Sequence, residues 1–153
     1  MRGMLAWVMV VLVCCGLAHS AHAHERRTVA GQYELIVGFL QEPAFAGQMN
    51  GLDLQVTVQG RKPKPVEGLE RTLQASVLFG DDQQAMPLAL RRRYGKAGAY
   101  AGHFLPTRPG TYAFRLQGAI NGVAIDEIFR SGPGTFHDVE DATALRFPDL
   151  LQQ

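Results

Sequence analysis

Three histidines beyond residue 23 are the clearest candidates for chemistry: His24, His103 and His137. Imidazole nitrogens suit Cu(II) and similar borderline metals. If the chain is cleaved directly before His24, this residue offers a terminal amine and an imidazole, which together can close one chelate ring on Cu(II). A second imidazole would then come from His103 or His137. We therefore predict a copper site that is anchored on His24.

The surroundings of the other two histidines leave their roles open. His103 shares a face of a predicted strand with Ala101 and Leu105, and an ordinary surface histidine is the alternative to a ligand. His137 is followed by Asp138, whose carboxylate could add an oxygen ligand for Cu(II). A solvated tail is the alternative there.

The first 23 residues determine whether His24 can be an amino terminus. Arg2 precedes an uncharged apolar run from Met4 to Ala18, and the small-residue pattern Ala21-His22-Ala23 follows. This is the layout of a secretory signal peptide, and the run is shorter than the roughly 20 residues that span a bilayer. We expect cleavage after Ala23, a periplasmic or secreted protein, and no stable membrane insertion after cleavage.

Charge and cysteine content narrow the classes of partner. The chain has 15 Lys and Arg against 14 Asp and Glu, and Arg2 lies in the leader, so the remaining chain is balanced. A balanced charge gives no general attraction to nucleic acid or to an anionic membrane. Both cysteines, Cys14 and Cys15, lie in the leader, so the exported part is expected to have no disulfide. Lipidation at one of these cysteines, or a leader retained as an anchor, stays open as an alternative.

Two further groups of charged residues could contribute to a site. Glu42 follows a predicted strand and could supply a carboxylate near the amino terminus; the alternative is a turn fixed by Pro43, with Phe45 packed beneath it. The residues 91–93, all arginine, form a basic patch with Lys96 beside a glycine-rich turn. This patch could receive an anion or an acidic partner, or it could be a solvated strand end.

The sequence gives little support for catalysis. Beyond the leader it has no cysteine, no Gly-x-Ser-x-Gly elbow and no His-Glu-x-x-His pattern. We therefore do not expect an enzyme, and a hydrolase is the weakest of the hypotheses. The alternative to copper binding is a metal-free module that recognises another envelope protein through loops or a sheet edge.

Period-two alternation of apolar and polar residues indicates the elements that must position these groups. Three segments, 52–58, 73–79 and 112–116, alternate in this way, as half-buried strands do. The side chains expected to face the core are Leu52, Leu54, Val56, Val58, Leu73, Val77, Phe79, Tyr112, Phe114 and Leu116. Weaker strand patterns cover Tyr33–Leu40, Met86–Arg92, Ala99–Leu105 and Val123–Arg130.

About seven strands with no amphipathic helix between them predict an immunoglobulin-like antiparallel β-sandwich. We place a signal peptide at 1–23, the sandwich at 24–134 and a tail at 135–153, which packs back on the sandwich or is partly disordered. Asn121-Gly122 is typical of a tight hairpin turn. Tyr112, which follows Pro109-Gly110, can bond its hydroxyl back across the corner, as in many Greek-key sandwiches.

Two blocks of the sequence carry a resemblance to known proteins. The first is His-Glu-Arg-Arg from His24, followed by residues 32–45 and Asn50-Gly51; the second is Phe104-Leu105-Pro106-Thr107-Arg108-Pro109-Gly110-Thr111-Tyr112. Together they resemble exported bacterial proteins with immunoglobulin-like domains, near the YtkA-like and CopC-like periplasmic groups. Resemblance to the CopC-like group implies a periplasmic copper-binding role with the terminal histidine, here His24, as a metal ligand.

Overall fold

The structure, a computed structural model, describes residues 23–81 and 84–148. The predicted leader, apart from Ala23, lies outside the described residues, as do the final residues of the predicted tail. In the described part, no helix is long and apolar enough to cross a membrane. Its strands in chain order are β1 (His24–Val29), β2 (Tyr33–Phe39), β3 (Asn50–Val58), β4 (Lys64–Pro65), β5 (Leu73–Phe79), β6 (Ala85–Leu88), β7 (Arg91–Arg92), β8 (Ala99–Phe104), β9 (Tyr112–Ile120) and β10 (Val123–Arg130).

The strands form two antiparallel sheets, which confirms the predicted β-sandwich. The large sheet has the order β1-β2-β3-β8-β7, with β4 also paired to β3, and the small sheet has the order β10-β9-β5-β6. Two short 3-10 helices, Leu69–Arg71 and Thr143–Leu145, lie outside the sheets. We call the face of each sheet that points away from the core its outer face.

The core lies between the two sheets, and the alternating residues predicted to face inward do so. All ten belong to the core or pack against it, although Val58 and Phe79 are only partly buried. Phe39 is fully buried, and its ring centroid lies 5.4 Å from those of Phe114 and Phe136. Phe136 comes from the segment predicted as a tail, so that segment supplies part of the core.

The chain beyond β10 packs back on the sandwich through backbone contacts as well. Val139 is 2% exposed and forms an isolated bridge with Gly110, and Glu140 forms another with Phe45. The turn at Pro43 holds Ala44 fully buried, while Phe45 is only half-buried. The tail therefore docks against the connection between β2 and β3.

Two turns have the predicted geometry. Asn121 and Gly122 adopt φ angles of 48° and 82° and join β9 to β10, as a tight hairpin turn requires. The Tyr112 hydroxyl donates to the Arg108 carbonyl at 2.9 Å, which is the expected hydrogen bond back across the corner.

The predicted strand Met86–Arg92 is wrong as a single element. The chain forms β6 in the small sheet and then β7 in the large sheet, so it changes sheets over Ala89 and Leu90. Leu88 points into the core from β6, and Leu90 packs against the core from the connection. An unbroken strand would keep this segment in one sheet, whereas the division lets both leucines contact the core.

Strand β1, which sequence alternation did not indicate, closes the opposite side of the sandwich through Arg27. Its guanidinium donates to Glu127 of β10 at 2.9 Å and to the Ile128 carbonyl at 3.1 Å. The same group lies 4.2 Å from the ring centroid of Phe129. The strand that begins at His24 is therefore fastened to both sheets.

Candidate functional site

His24 is positioned by a glycine on the neighbouring strand. It pairs with Gly38 of β2, which in turn pairs with Asp53 of β3. Because Gly38 has no side chain, the imidazole of His24 lies across β2, and its Nε2 is 3.4 Å from Oδ2 of Asp53. A Cβ at position 38 would be 2.7 Å from Cδ2 of His24, closer than real Cβ contacts allow. Gly38 is thus required for this contact.

Asp53 joins His24 to Arg93. The Nη1 of Arg93 donates to both oxygens of Asp53, at 2.7 and 2.8 Å. Burial alone would raise the pKa of Asp53, but the two hydrogen bonds and the charge of Arg93, together with the close approach of His24, outweigh it, and the pKa lies below its usual value. Asp53 is therefore held ionised between two partners on the outer face of the large sheet.

Small residues on β8 make room for this arrangement. Ala99 and Ala101 lie on the same outer face as Asp53 and are 5% and 6% exposed. The backbone N–H of Arg93 donates to the Ala99 carbonyl at 2.9 Å, which ties the residue to the edge of β8. The guanidinium of Arg93 can therefore lie low over the sheet and reach Asp53.

A second histidine–carboxylate pair lies at the end of β2. Nδ1 of His137 is 3.2 Å from Oε2 of Glu42, while Oε1 of Glu42 is buried and has no hydrogen-bond partner among the described residues. Burial raises the pKa of Glu42, while the hydrogen bond to His137 and the charges that His137 and His24 carry when protonated oppose that rise. Since His24 acts on Glu42, the two pairs share one electrostatic neighbourhood.

His103 lies apart from these two pairs. It is an exposed residue on the outer face of β8, opposite Gly51 of β3. Strand β8 is three positions from β1 in the large sheet, so the two strands are about 14 Å apart, and His103 lies two residues further along β8 than Ala101, the residue in register with His24. The structure therefore places His24 against Asp53 and His137 against Glu42, and leaves His103 on the surface.

The side chains do not form a closed metal cage. Across 23–81 and 84–148, no group of three or more His, Cys, Asp or Glu side chains is placed to hold a metal ion. Nε2 of His24 is buried and lacks a well-oriented hydrogen bond, so its approach to Asp53 is mainly electrostatic. A metal at this end of the sheet would therefore need a donor besides these side chains.

The basic patch divides into one paired and several unpaired cations. Arg93 is committed to Asp53. Arg91, Arg92 and Lys96 are exposed, and no carboxylate of the described part lies within ion-pair distance of them. Arg93 is therefore part of an ion pair, whereas the other three cations of the patch project into solvent.

Sequence reasoning missed Gly38, Asp53 and Arg93 as parts of one site. A glycine inside a strand pattern is itself a signal of close approach, and Gly38 had that signal. In the sequence, Asp53 is one of several polar residues on an alternating strand. Its contacts with His24 and Arg93 depend on how neighbouring strands pair, and the sequence does not reveal that pairing.

Comparison of the chain with family models, with curated proteins and with solved structures gives no match.

Proposed function

We propose that the protein is exported and binds Cu(II) at its mature amino terminus, as a carrier or buffer for delivery or tolerance. The observation that carries the proposal is the placement of His24 across Gly38, with Nε2 toward Asp53. A carboxylate beside Nε2 favours the tautomer with its proton on that nitrogen. Nδ1 then remains deprotonated, and it is the ring nitrogen that can chelate a metal together with the residue's own amine.

Asp53 would act on the metal only through His24. Ligating histidines commonly donate their other ring N–H to a carboxylate, which fixes the ring and increases its basicity. Arg93 holds both oxygens of Asp53, so the carboxylate has a defined position. The same guanidinium makes Asp53 a poor direct ligand, because its charge opposes a nearby cation.

Glu42 and His137 support the remaining ligand positions. The unpartnered buried Oε1 of Glu42 is a carboxylate oxygen without a compensating donor in the described part of the chain. His137 is half-exposed and contacts the other oxygen of the same group. Nitrogen and carboxylate oxygen are donors that suit Cu(II), and the bound ion would supply the charge that Glu42 lacks.

The first experiment measures the mature mass and then titrates Cu(II) into the natively processed protein. We expect a chain that begins at His24 and binds one equivalent. His24→Ala removes the ring nitrogens, and one extra alanine before His24 converts the amine of His24 into a peptide amide; either should weaken binding at least a hundredfold. Affinity should also fall as the pH drops and the ligands gain protons.

Asp53→Asn tests the positioning role separately, with Asp126→Asn as the matched control on the other sheet. Loss of the carboxylate partner should weaken binding about tenfold, whereas Asp126→Asn should bind like wild type. The proposal fails if correctly processed protein shows no stoichiometric binding, or if both amino-terminal variants bind as tightly as wild type.

A metal-free interaction module is the second candidate, and Tyr94 favours it. This side chain is fully exposed on the turn after β7, next to Arg93. Tyrosine and arginine are enriched among the residues that dominate binding at protein interfaces. Absence of Cu(II) binding, together with loss of an envelope partner on Tyr94→Ala, would favour this function over copper binding.

A further inference from the structure

A cleft of about 550 Å³ lies on the outer face of the large sheet, beside the turn that connects β7 to β8. Its volume is within the range of ligand pockets, which run from about 300 to 1,000 Å³. The lining combines polar and apolar groups, chiefly His24, Gln55, Arg93, Lys96, Ile36 and Ala99. The residues that line the cleft indicate which class of ligand it can bind, independently of any copper site at His24.

The cleft has an excess of positive charge. Arg93 and Lys96 line it, and Asp53 is the one carboxylate among its described lining residues. Asp53 is already bound by Arg93 through both of its oxygens. Lys96 has no carboxylate within ion-pair distance in the described ranges, and Arg91 shares the outer face with Asp53 through its pairing with Ala101. An anion entering the cleft therefore meets one cation without a carboxylate partner in its described lining, Lys96, and Arg91 lies nearby on the same face.

Arg93 also has unused donors. Only Nη1 of its guanidinium contacts Asp53, and Nε and Nη2 have no hydrogen-bond partner among residues 23–81 and 84–148. A guanidinium presents its N–H groups in a planar fork that matches a carboxylate. The contact with Asp53 already holds the guanidinium in place, so binding of a ligand loses little further side-chain entropy at Arg93.

The floor of the cleft distinguishes an organic anion from an inorganic one. Ile36 is half-buried and Ala99 is 5% exposed, and both are apolar. A small hydrocarbon segment gains free energy by covering such a surface, whereas phosphate or sulfate does not.

We infer that this cleft is a binding site for an organic carboxylate, held by Arg93 and Lys96 over an apolar floor of Ile36 and Ala99. The carboxylate can belong to a small organic acid or to an acidic side chain of a peptide. The site does not require copper, so its failure and the failure of the copper proposal are separate results.

The test uses the mature protein freed of metal by a chelator and titrates glutarate and a tetraglutamate peptide in separate arms. We expect saturable binding in at least one arm, with phosphate at least fivefold weaker than the tighter of the two. Lys96→Gln should weaken that binding at least fivefold, and Lys62→Gln, the same change at an exposed lysine outside the cleft, should leave it unchanged.

Nuclear magnetic resonance of the arginine side chains provides a second readout. Binding should shift the Nε–H signal of Arg93 and leave that of Arg115, on the small sheet, in place. The inference is overturned if neither carboxylate binds saturably, if phosphate binds as tightly as both, or if the lysine control loses as much affinity as Lys96→Gln.

Discussion

On the outer face of the large sheet, Asp53 holds Arg93 and His24 close to the backbone, while on the outer face of the small sheet Asp126 holds Arg115 in open solvent. Asp53 has 20% of its side chain exposed, whereas Asp126 has 51%. Both pairs have good hydrogen-bond geometry, and both aspartates have a pKa below the usual value. The difference between the pairs is therefore in their surroundings.

Those surroundings follow from the size of neighbouring residues. Gly38, Ala99 and Ala101 leave space above the large sheet, so longer side chains can lie across the strands and shield one another. The corresponding face of the small sheet carries the longer residues Gln74 and Gln117 opposite one another, and Gln117 donates to Asp126 at 3.1 Å. Small residues at matched positions on adjacent strands thus create a partly buried polar site on a surface that would otherwise be solvated.

The largest effect is expected from filling the space above β2. Gly38→Ala places a Cβ 2.7 Å from the imidazole of His24, which must move away from Asp53. We expect a loss of about 1–3 kcal/mol in the free energy of unfolding and at least tenfold weaker Cu(II) binding. Urea titration measures the first and metal titration the second. Gly60→Ala, at an open loop position with nothing within 4 Å, is the control and should be neutral or slightly stabilising.

A glycine-to-alanine change at 38 that left stability unchanged would show that His24 does not lie across β2. The small residues of the large sheet would then not be what holds its polar side chains close to the backbone.

The next effect separates the two arginine–aspartate pairs directly. Arg93→Gln leaves the half-buried carboxylate of Asp53 without its main partner, and we expect a loss of about 1–2 kcal/mol in the free energy of unfolding. Arg115→Gln breaks a solvent-exposed pair and should produce no measurable loss. Equal effects of the two substitutions on urea unfolding would mean that the difference in burial between the two pairs does not affect stability.

The smallest effect is a difference in acid sensitivity. Because the folded-state pKa of Asp53 lies below its unfolded value near 3.8, its ionised form contributes stability above that pH, and the contribution is lost as the pH falls through the folded pKa. Asp53→Asn should therefore lose less stability than wild type between about pH 4 and pH 2. Asp126→Asn should show the same difference at low salt only, because screening weakens exposed pairs.

Thermal unfolding across this pH range at two salt concentrations provides the measurement. If the stability of Asp53→Asn falls with pH as steeply as that of wild type at high salt, the Asp53 pair is screened as fully as the Asp126 pair.

Much of the fold could be predicted because alternation reports burial directly. The residues of β3, β5 and β9 that alternate in sequence do point into the core, and the hydroxyl bond of Tyr112 follows from a local Pro-Gly corner. Strand β1 was missed because Glu25, Arg26 and Arg27 give it no apolar alternation. It is an edge strand that depends on pairing with β2 and on the contacts of Arg27, and neither is local in sequence.

The candidate site was less predictable for the same reason. His24 and His137 could be selected by residue type, and Glu42 by its place after a strand. The partnership of Asp53 with Arg93 joins residues 40 positions apart in the chain. Only the pairing of β3 with β8, and the division of a continuous sequence pattern into β6 and β7, bring the two together.

The attachment of β1 through Arg27 also has a consequence for motion. His24 starts the strand, and Arg27 fastens it three residues later to Glu127 and to the backbone of β10. The first residues of β1 can therefore separate from β2 by local fraying that ends at Arg27, without separating the two sheets. If Cu(II) binds at His24 as proposed, it can enter or leave at the low free-energy cost of a strand end, while the sandwich keeps the stability of its core.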